Sequence, residues 1–399
     1  MDAPILLREY EDWQGGLSLE DAQYIASELR GRISITRAPF SNDYLLNPSQ
    51  YVGVVVLPST RRLESQPKIP VRNLFYMLAI ALDLPSPFRE KVTQFERLDE
   101  MLEFVADHFA GEVEERVRRG LYRAYLDAEG NLQTIRGRID FPRDVQENAI
   151  LRHRTYCRFG DLSWDIPENQ ILRQVAHLLS GWGFQRRVRL RLAQLDGLFV
   201  EVTPTQLSPA ILERIHYSRL NDDYRPLHAL CRLFLQGASL SEEVGPFDFR
   251  TFLLDMNALF EQFVTEVLVS RAPIEVEVQD QHPLYLDWDH KVLMRPDVIV
   301  AARRTRDHLA VDCKYKRLES GELRNDDIYQ LVSYCLALSA RHGVLVYPSH
   351  LGQIRQPLRI TGSDQSIHSQ SLDLRGDLPA LKSACDELAR SIFQLLHWE

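Results

Sequence analysis

The chain has 399 residues, 45% of them hydrophobic and 26% charged, a globular balance with length for two or three domains. No apolar run reaches the roughly 18 residues of a membrane span, the acidic start MDAPILLREYEDW lacks the regions of a secretory signal, and five scattered cysteines without a C-x-x-C pair argue against a disulfide framework or a zinc site. The net charge of −9 disfavours a protein that holds DNA unaided, because phosphate neutralisation supplies most non-specific affinity.

A reducing cytoplasm suits such cysteine usage, and a nucleic-acid role would have to use local basic patches or a partner's surface. Only six of the 47 cations are lysine (68, 91, 291, 314, 316 and 382), leaving 41 arginines. Against that background, a lysine beside an acid carries information.

In chain order, residues 1–65 predict a small β-rich module. ISITRAPF and YVGVVVLP read as strands, NPSQ and PST as turns, and LEDAQYIASEL as a helix. After the linker-like RRLESQPKIP, helical periodicity runs through VRNLFYMLAIAL and RLDEMLEFVADHFAGEVEERVRRGLY. YLDAEGNLQTIRGRIDFP predicts a hairpin turning at Gly130-Asn131, and ENQILRQVAHLLSGW and RPLHALCRLFLQ predict helices. RRVRLRLAQL alternates like a strand, but Val188, Leu192 and Leu195 also recur at helical spacing, so a helix is preferred. LSEEVGPFDF marks a boundary near 245. Beyond it come a helix (FLLDMNALFEQFVTEVLVSR), strands (IEVEVQ, LYLDW), a hairpin (RPDVIVAARRTRDHLAVDCKYK), a helix (DDIYQLVSYCLALSA) and a strand (GVLVYP). That order predicts a mixed α/β architecture: a region 66–245 and a carboxy-terminal domain 246–399 with a mixed sheet flanked by helices.

The hairpin carries the chemistry. Leu309, Val311 and Cys313 fall on one face of its second strand, Asp312 and Lys314 on the other. Asp297, at the start of the first strand, can lie near the end of the second. Two converging carboxylates repel unless a cation lies between them, and oxygen ligands with room for water and phosphate suit Mg²⁺. Asp297, Asp312 and the Cys313 carbonyl are candidate ligands, and Lys314 a candidate for orienting water and offsetting transition-state charge. Glu261, on the preceding helix, is either a further carboxylate or a solvated helix face. Gln330, on the following helix, is expected to share a face with Tyr334, away from a buried stripe of Ile328, Leu331, Cys335 and Leu338; it would bind water or phosphate, or nothing. An acid, one residue and a lysine carry little information alone, as Asp289-His290-Lys291 shows in a polar turn. As an ordinary hairpin, the pair Asp312–Lys314 would be a surface salt bridge contributing about 0.2–1 kcal/mol.

These residues resemble the PD-(D/E)xK nucleases and, more closely, the McrC subunits of McrBC modification-dependent (type IV) restriction systems. IPVRNLFYMLAIAL, IRGRIDF, RPDVIV…LAVDCKYK, DDIYQLVSY and VLVYP follow the family's order, covering most of the chain beyond about residue 65. The resemblance implies a Mg²⁺-dependent endonuclease in which Asp297, Asp312 and Lys314 are catalytic and Gln330 matches the helix after the hairpin. It also implies a partner, a McrB-like GTP-hydrolysing AAA+ hexamer, which reads modified cytosine in double-stranded DNA and whose GTP hydrolysis the subunit stimulates. Region 66–245 would be the docking stalk, with Arg136 or Arg138 either reaching a nucleotide site or simply solvated. Gly-Lys never occurs in the sequence, so no G-x-x-x-x-G-K-[ST] motor motif is present. Arg186, Arg187, Arg189 and Arg191, and Arg303, Arg304 and Arg306 beside the hairpin, are the candidate phosphate contacts. The alternatives are a stand-alone repair or junction nuclease and a non-cleaving adaptor that activates the motor.

Overall fold

A computed structural model describes residues 3–84, 96–150, 153–205, 209–237, 251–305, 307–316, 324–351 and 357–396. Two compact units emerge: one from the described residues of 1–102, 236–245 and 250–399, the other mainly from 103–235. The boundary expected near 65 therefore does not separate compact units, and the one near 245 lies outside the described residues.

In the first unit, strand β1 (Ile5–Arg8), helix α1 (Leu19–Glu28), strands β2 (Tyr51–Val56) and β3 (Arg62–Gln66), and helix α2 (Val71–Ala81) follow in turn. Ser18 caps α1 by accepting from the Asp21 N–H. The buried side chains Ile5, Leu7, Ile25, Leu29, Ile33, Leu46, Val55, Leu57 and Leu63 form this region's core.

The second unit contains most of helix α3 (Leu98–Arg119), strands β4 (Ala124–Leu132) and β5 (Thr155–Ser163), and helices α4 (Pro167–Ser180), α5 (Arg186–Asp196) and α6 (Arg225–Gly237). RRVRLRLAQL is the helix α5, with Val188, Leu192 and Leu195 buried on one side as their spacing requires. The predicted Gly130-Asn131 turn is not formed. Both residues lie inside β4, opposite Cys157 and Tyr156 of β5, and the short strand Arg138–Ile139 pairs with β5 rather than with β4. Nine residue pairs between these separate segments outweigh the local turn preference of Gly-Asn.

The rest of the first unit begins with strand β6 (Thr251–Asp255) and helix α7 (Met256–Arg271). The sequence predicts one helix over this stretch, but Asp255 accepts from the Asn257 N–H as an N-cap, so the helix starts after it. Residues 251–255 instead pair with β2, completing a four-stranded sheet ordered β1-β3-β2-β6. The amino-terminal module and the segment after 250 thus share a sheet.

Strands β7 (Val276–Asp280), β8 (Val298–Ala302) and β9 (His308–Cys313), helix α8 (Asn325–Leu338), strands β10 (His342–Pro348) and β11 (Ser366–Leu372), and helix α9 (Leu378–Phe393) complete the unit. The sheet runs β7-β8-β9-β10-β11 with a short edge strand at Leu358–Arg359. β7, β8 and β9 are antiparallel, whereas β9, β10 and β11 are parallel. This is the mixed sheet that the sequence predicts. Ala310, Leu331, Tyr334, Cys335, Leu345, Tyr347 and Ile367 pack together where α8 covers it.

Candidate functional site

The β8–β9 register pairs Val298 with Val311, so one step further sets Asp297 opposite Asp312. Opposed residues of an antiparallel pair share a face, with Cβ atoms about 4.5–5.5 Å apart. Asp297 Oδ2 accepts the Cys313 N–H at 2.7 Å. Asp312 is fully buried, and Lys314 Nζ lies 2.6 Å from its Oδ2. Lys314 is thus the partner of Oδ2, and Oδ1 has no hydrogen-bond partner among the described residues.

The electrostatics follow from burial. Desolvation, then the charges of Asp312 and Glu261, push the Asp297 carboxyl up against the pull of the Cys313 N–H. Desolvation also raises Asp312, with Lys314 opposing it. Burial alone would depress Lys314, but Asp312, joined by Asp297 and Asp327, outweighs it and holds the ammonium above its ordinary range. Two buried carboxylates that resist ionising together, one with an oxygen left without a donor among the described residues, form the hard-oxygen set that an oxygen-seeking divalent cation would satisfy.

Glu261 does not complete that set. On α7, its Oε1 accepts from Gln281 Nε2 at 2.7 Å, while the Gln281 N–H donates to the Asp297 carbonyl at 3.0 Å. Burial raises its pKa, and Asp280 and Asp312 add to the rise, so it feels the site's charge. Among the described residues, no three His, Cys, Asp or Glu side chains gather closely enough to hold a metal. The carboxylates brought together are Asp297 and Asp312, and Cys313, whose carbonyl is the third candidate ligand, ends the strand beside them. Gln330 is exposed and donates to the Tyr334 hydroxyl at 2.7 Å, which donates in turn to the Arg295 carbonyl at 3.2 Å. Gln330 and Tyr334 thus share a face, as expected, but that face is not wholly outside the core, because Tyr334 is buried with Leu331 and Cys335.

Sequence reasoning missed a second pair. Lys316 is ion-paired to the buried Asp327 at the start of α8, and Asp327 also accepts from the Tyr347 hydroxyl at 3.2 Å. Period two carries the motif on as Asp312, Lys314, Lys316, a signal that was available. By contrast, Asp289 and Lys291 pair in the open, with 71% and 75% of their side chains exposed.

The basic clusters divide. Arg191 is bound to Asp107 and Glu114 on α3, whereas Arg186, Arg187 and Arg189 are exposed. Arg303 and Arg304 are exposed beside the hairpin, and Arg306 lies outside the described residues. Arg136 is held by Asp161 at 2.8 Å and lies over the Phe159 ring, while Arg138 is exposed. All five cysteines are free and buried, and among the described residues no helix is long and apolar enough to cross a membrane.

Comparison with known proteins places this chain in a family. A curated relative, the "Type IV methyl-directed restriction enzyme EcoKMcrBC" of Escherichia coli (strain K12), is 23% identical over 335 residues, covering 77% of this chain and 94% of the relative. A chain of a solved half-complex, from a tetradecameric assembly of Thermococcus gammatolerans McrB AAA+ hexamers with bound McrC, is 20% identical. It aligns with a TM-score of 0.58 over 98% of this chain and 100% of its own length, which shows a shared fold. A chain of a second solved structure, the Thermococcus gammatolerans McrBC complex, aligns with a TM-score of 0.46 at 19% identity, over 68% of this chain and 88% of that one. The family model described as "McrBC 5-methylcytosine restriction system component" matches residues 46–348, most of the sequence, and the chain belongs to that family.

Proposed function

We propose that this chain is the Mg²⁺-dependent DNA-cleaving subunit of a McrBC-like restriction complex, acting on DNA with modified cytosine alongside a separate McrB-like AAA+ ring that hydrolyses GTP. The observation that carries the reading is Asp312: fully buried, opposite Asp297, with Oδ2 against the Lys314 ammonium where the strand ends and Oδ1 without a donor among the described residues. A structural salt bridge needs no second acid facing it. Mg²⁺ bound by Asp297, Asp312 and the Cys313 carbonyl would polarise the scissile phosphate and acidify a bound water. Lys314, held protonated by Asp312, is a fixed cation rather than a base, suited to offsetting charge as the phosphate turns pentavalent. Gln330, through Tyr334, stiffens the approach to Asp297 at Arg295.

The second unit supplies a docking surface. Phe141 and Val145 lie one turn apart on the helix Phe141–Glu147, 68% and 70% exposed, with Ile135 and Ile150 also exposed nearby in sequence. Apolar side chains left bare in this way mark partner surfaces. The partner reading draws support from the solved McrB–McrC assembly whose fold this chain shares, and from the absence of Gly-Lys in the sequence.

Plasmid cleavage tests the proposal, with methylated against unmethylated DNA, with and without GTP and the ring protein. Methylated DNA is cut only when Mg²⁺, GTP and ring are all present, and Asp312→Ala abolishes cutting while leaving stimulation of GTP hydrolysis intact. Cutting by the chain alone would favour a stand-alone nuclease; GTPase stimulation without cutting by the wild type would favour an adaptor.

A further inference from the structure

Tyr315 follows Lys314 directly and is held by residues more than 300 positions away in sequence. Its hydroxyl donates to the Glu9 carboxylate, 3.2 Å from Oε1 and 3.1 Å from Oε2, and the Lys68 N–H donates to Oε2 at 2.9 Å. The Tyr10 hydroxyl donates to the Tyr315 carbonyl at 2.5 Å. Glu9 and Tyr315 are 0% and 1% exposed. The Tyr315 ring packs on Phe260, the neighbour of Glu261, at 5.8 Å, and on His350 at 5.9 Å.

A buried carboxylate on a buried phenol is a costly way to fill space, because an apolar pair of the same volume would pack without desolvating a charge. What the polar pair adds is direction. β9 makes its last ladder pair at Cys313, and beyond it the Lys314 N–H bonds to the Val346 carbonyl at 2.9 Å. Alternation sends Tyr315 to the face opposite Lys314 and Lys316, which meet Asp312 and Asp327. The chain at 314–316 is thus gripped on one face while its cations work on the other. Hydrogen bonds to both the side chain and the carbonyl of Tyr315 fix its rotation as well as its depth.

We infer that Glu9 and Tyr10 form a positioning clamp on Tyr315, through which the amino-terminal module sets Lys314 against Asp312. The inference rests on reading Lys314 as part of a nuclease site. Burial lifts the Glu9 carboxyl to about 7, which marks how deeply the clamp is sunk.

The test uses the full chain with its ring partner and three variants. Tyr10→Phe and Tyr315→Phe each remove one clamp bond; Tyr24→Phe removes a different bond made by the same module, to Thr251 of β6, and serves as the control. The clamp variants lower kcat for cleavage by about tenfold at unchanged KM, the effect of a small misplacement of a catalytic group. Independently of cleavage, brief labelling with acetic anhydride and peptide mass spectrometry reads a several-fold faster acylation of Lys314 relative to the exposed Lys382. Unchanged Lys314 labelling in both clamp variants, or an equal loss of kcat in Tyr24→Phe, overturns the clamp. Faster labelling in a protein whose wild type cuts no DNA sinks the nuclease reading and leaves the clamp standing. If Tyr315→Phe fails to fold, Tyr10→Phe, which keeps the buried pair, decides.

Discussion

Asp312 has the Lys314 ammonium against it and a second carboxylate across the strand pair, with none of its own surface exposed. Both acids have folded pKa values raised by burial, so a proton stabilises the metal-free fold. That contribution is fully present below the ordinary carboxylate range near pH 4 and is lost as pH rises through the raised values. A divalent cation competes with the proton for the same oxygens, so the stabilisation that Mg²⁺ gives must grow with pH. Thermal unfolding at pH 5.5 and 8.0 should show a Mg²⁺-induced rise in Tm that is larger at pH 8.0 and missing in Asp312→Ala; an equal rise at both pH values would put the cation elsewhere. Lys314→Ala makes a different prediction. It leaves Asp312 free to bind the cation, so the Mg²⁺ shift persists while cleavage falls by about 10²–10³-fold, the cost of losing one preorganised charge at the reacting phosphate. Cleavage at the wild-type rate would remove the role assigned to Lys314.

β9 can carry charges only because its neighbours fit closely. Gly343 of β10 lies opposite Ala310, and a Cβ there would meet Cys335 Sγ at 2.7 Å and Leu331 Cγ at 2.8 Å, both on α8. Gly343→Ala would therefore push α8, with Asp327 and Gln330, away from the sheet. The expected loss is about 1–3 kcal/mol by overpacking, read in urea unfolding, and an unchanged midpoint would mean that the helix yields freely. The elements best foretold by the sequence are those whose determinants are local. The α5 stripe was legible, and so was the approach of Asp297 to Asp312, because a hairpin brings near neighbours together. β6 was not: FLLD has an apolar run that suits a helix as well as a strand, and its partner β2 lies some two hundred residues upstream. The Gly130-Asn131 turn failed for the same reason, since β5 recruits those residues into a ladder from outside the window. Glu9 and Tyr315 are farther apart still, and nothing near either of them in the sequence announces the other.

At the scale of the molecule, the acids and lysines of the hairpin lie in one compact unit and the bare apolar turn of Phe141 and Val145 in the other. A net charge of −9 gives the chain little general attraction for a polyanion, so the proposed cutting would depend on whatever presents the DNA. On the proposed function the two units stand in a one-way relation: loss of chemistry should leave docking intact, whereas loss of docking should remove both GTPase stimulation and cutting. Phe141→Asp with Val145→Asp tests the second half. Both side chains are already solvated, so each change should shift stability by less than about 0.5 kcal/mol, yet two charges on an apolar contact surface oppose its burial. GTP turnover by the ring should fall to its unstimulated rate, and plasmid cleavage should vanish although Asp297, Asp312 and Lys314 are untouched. Retained stimulation would move the docking surface elsewhere on the chain. Lost stimulation with retained cleavage would show that cutting does not depend on the ring.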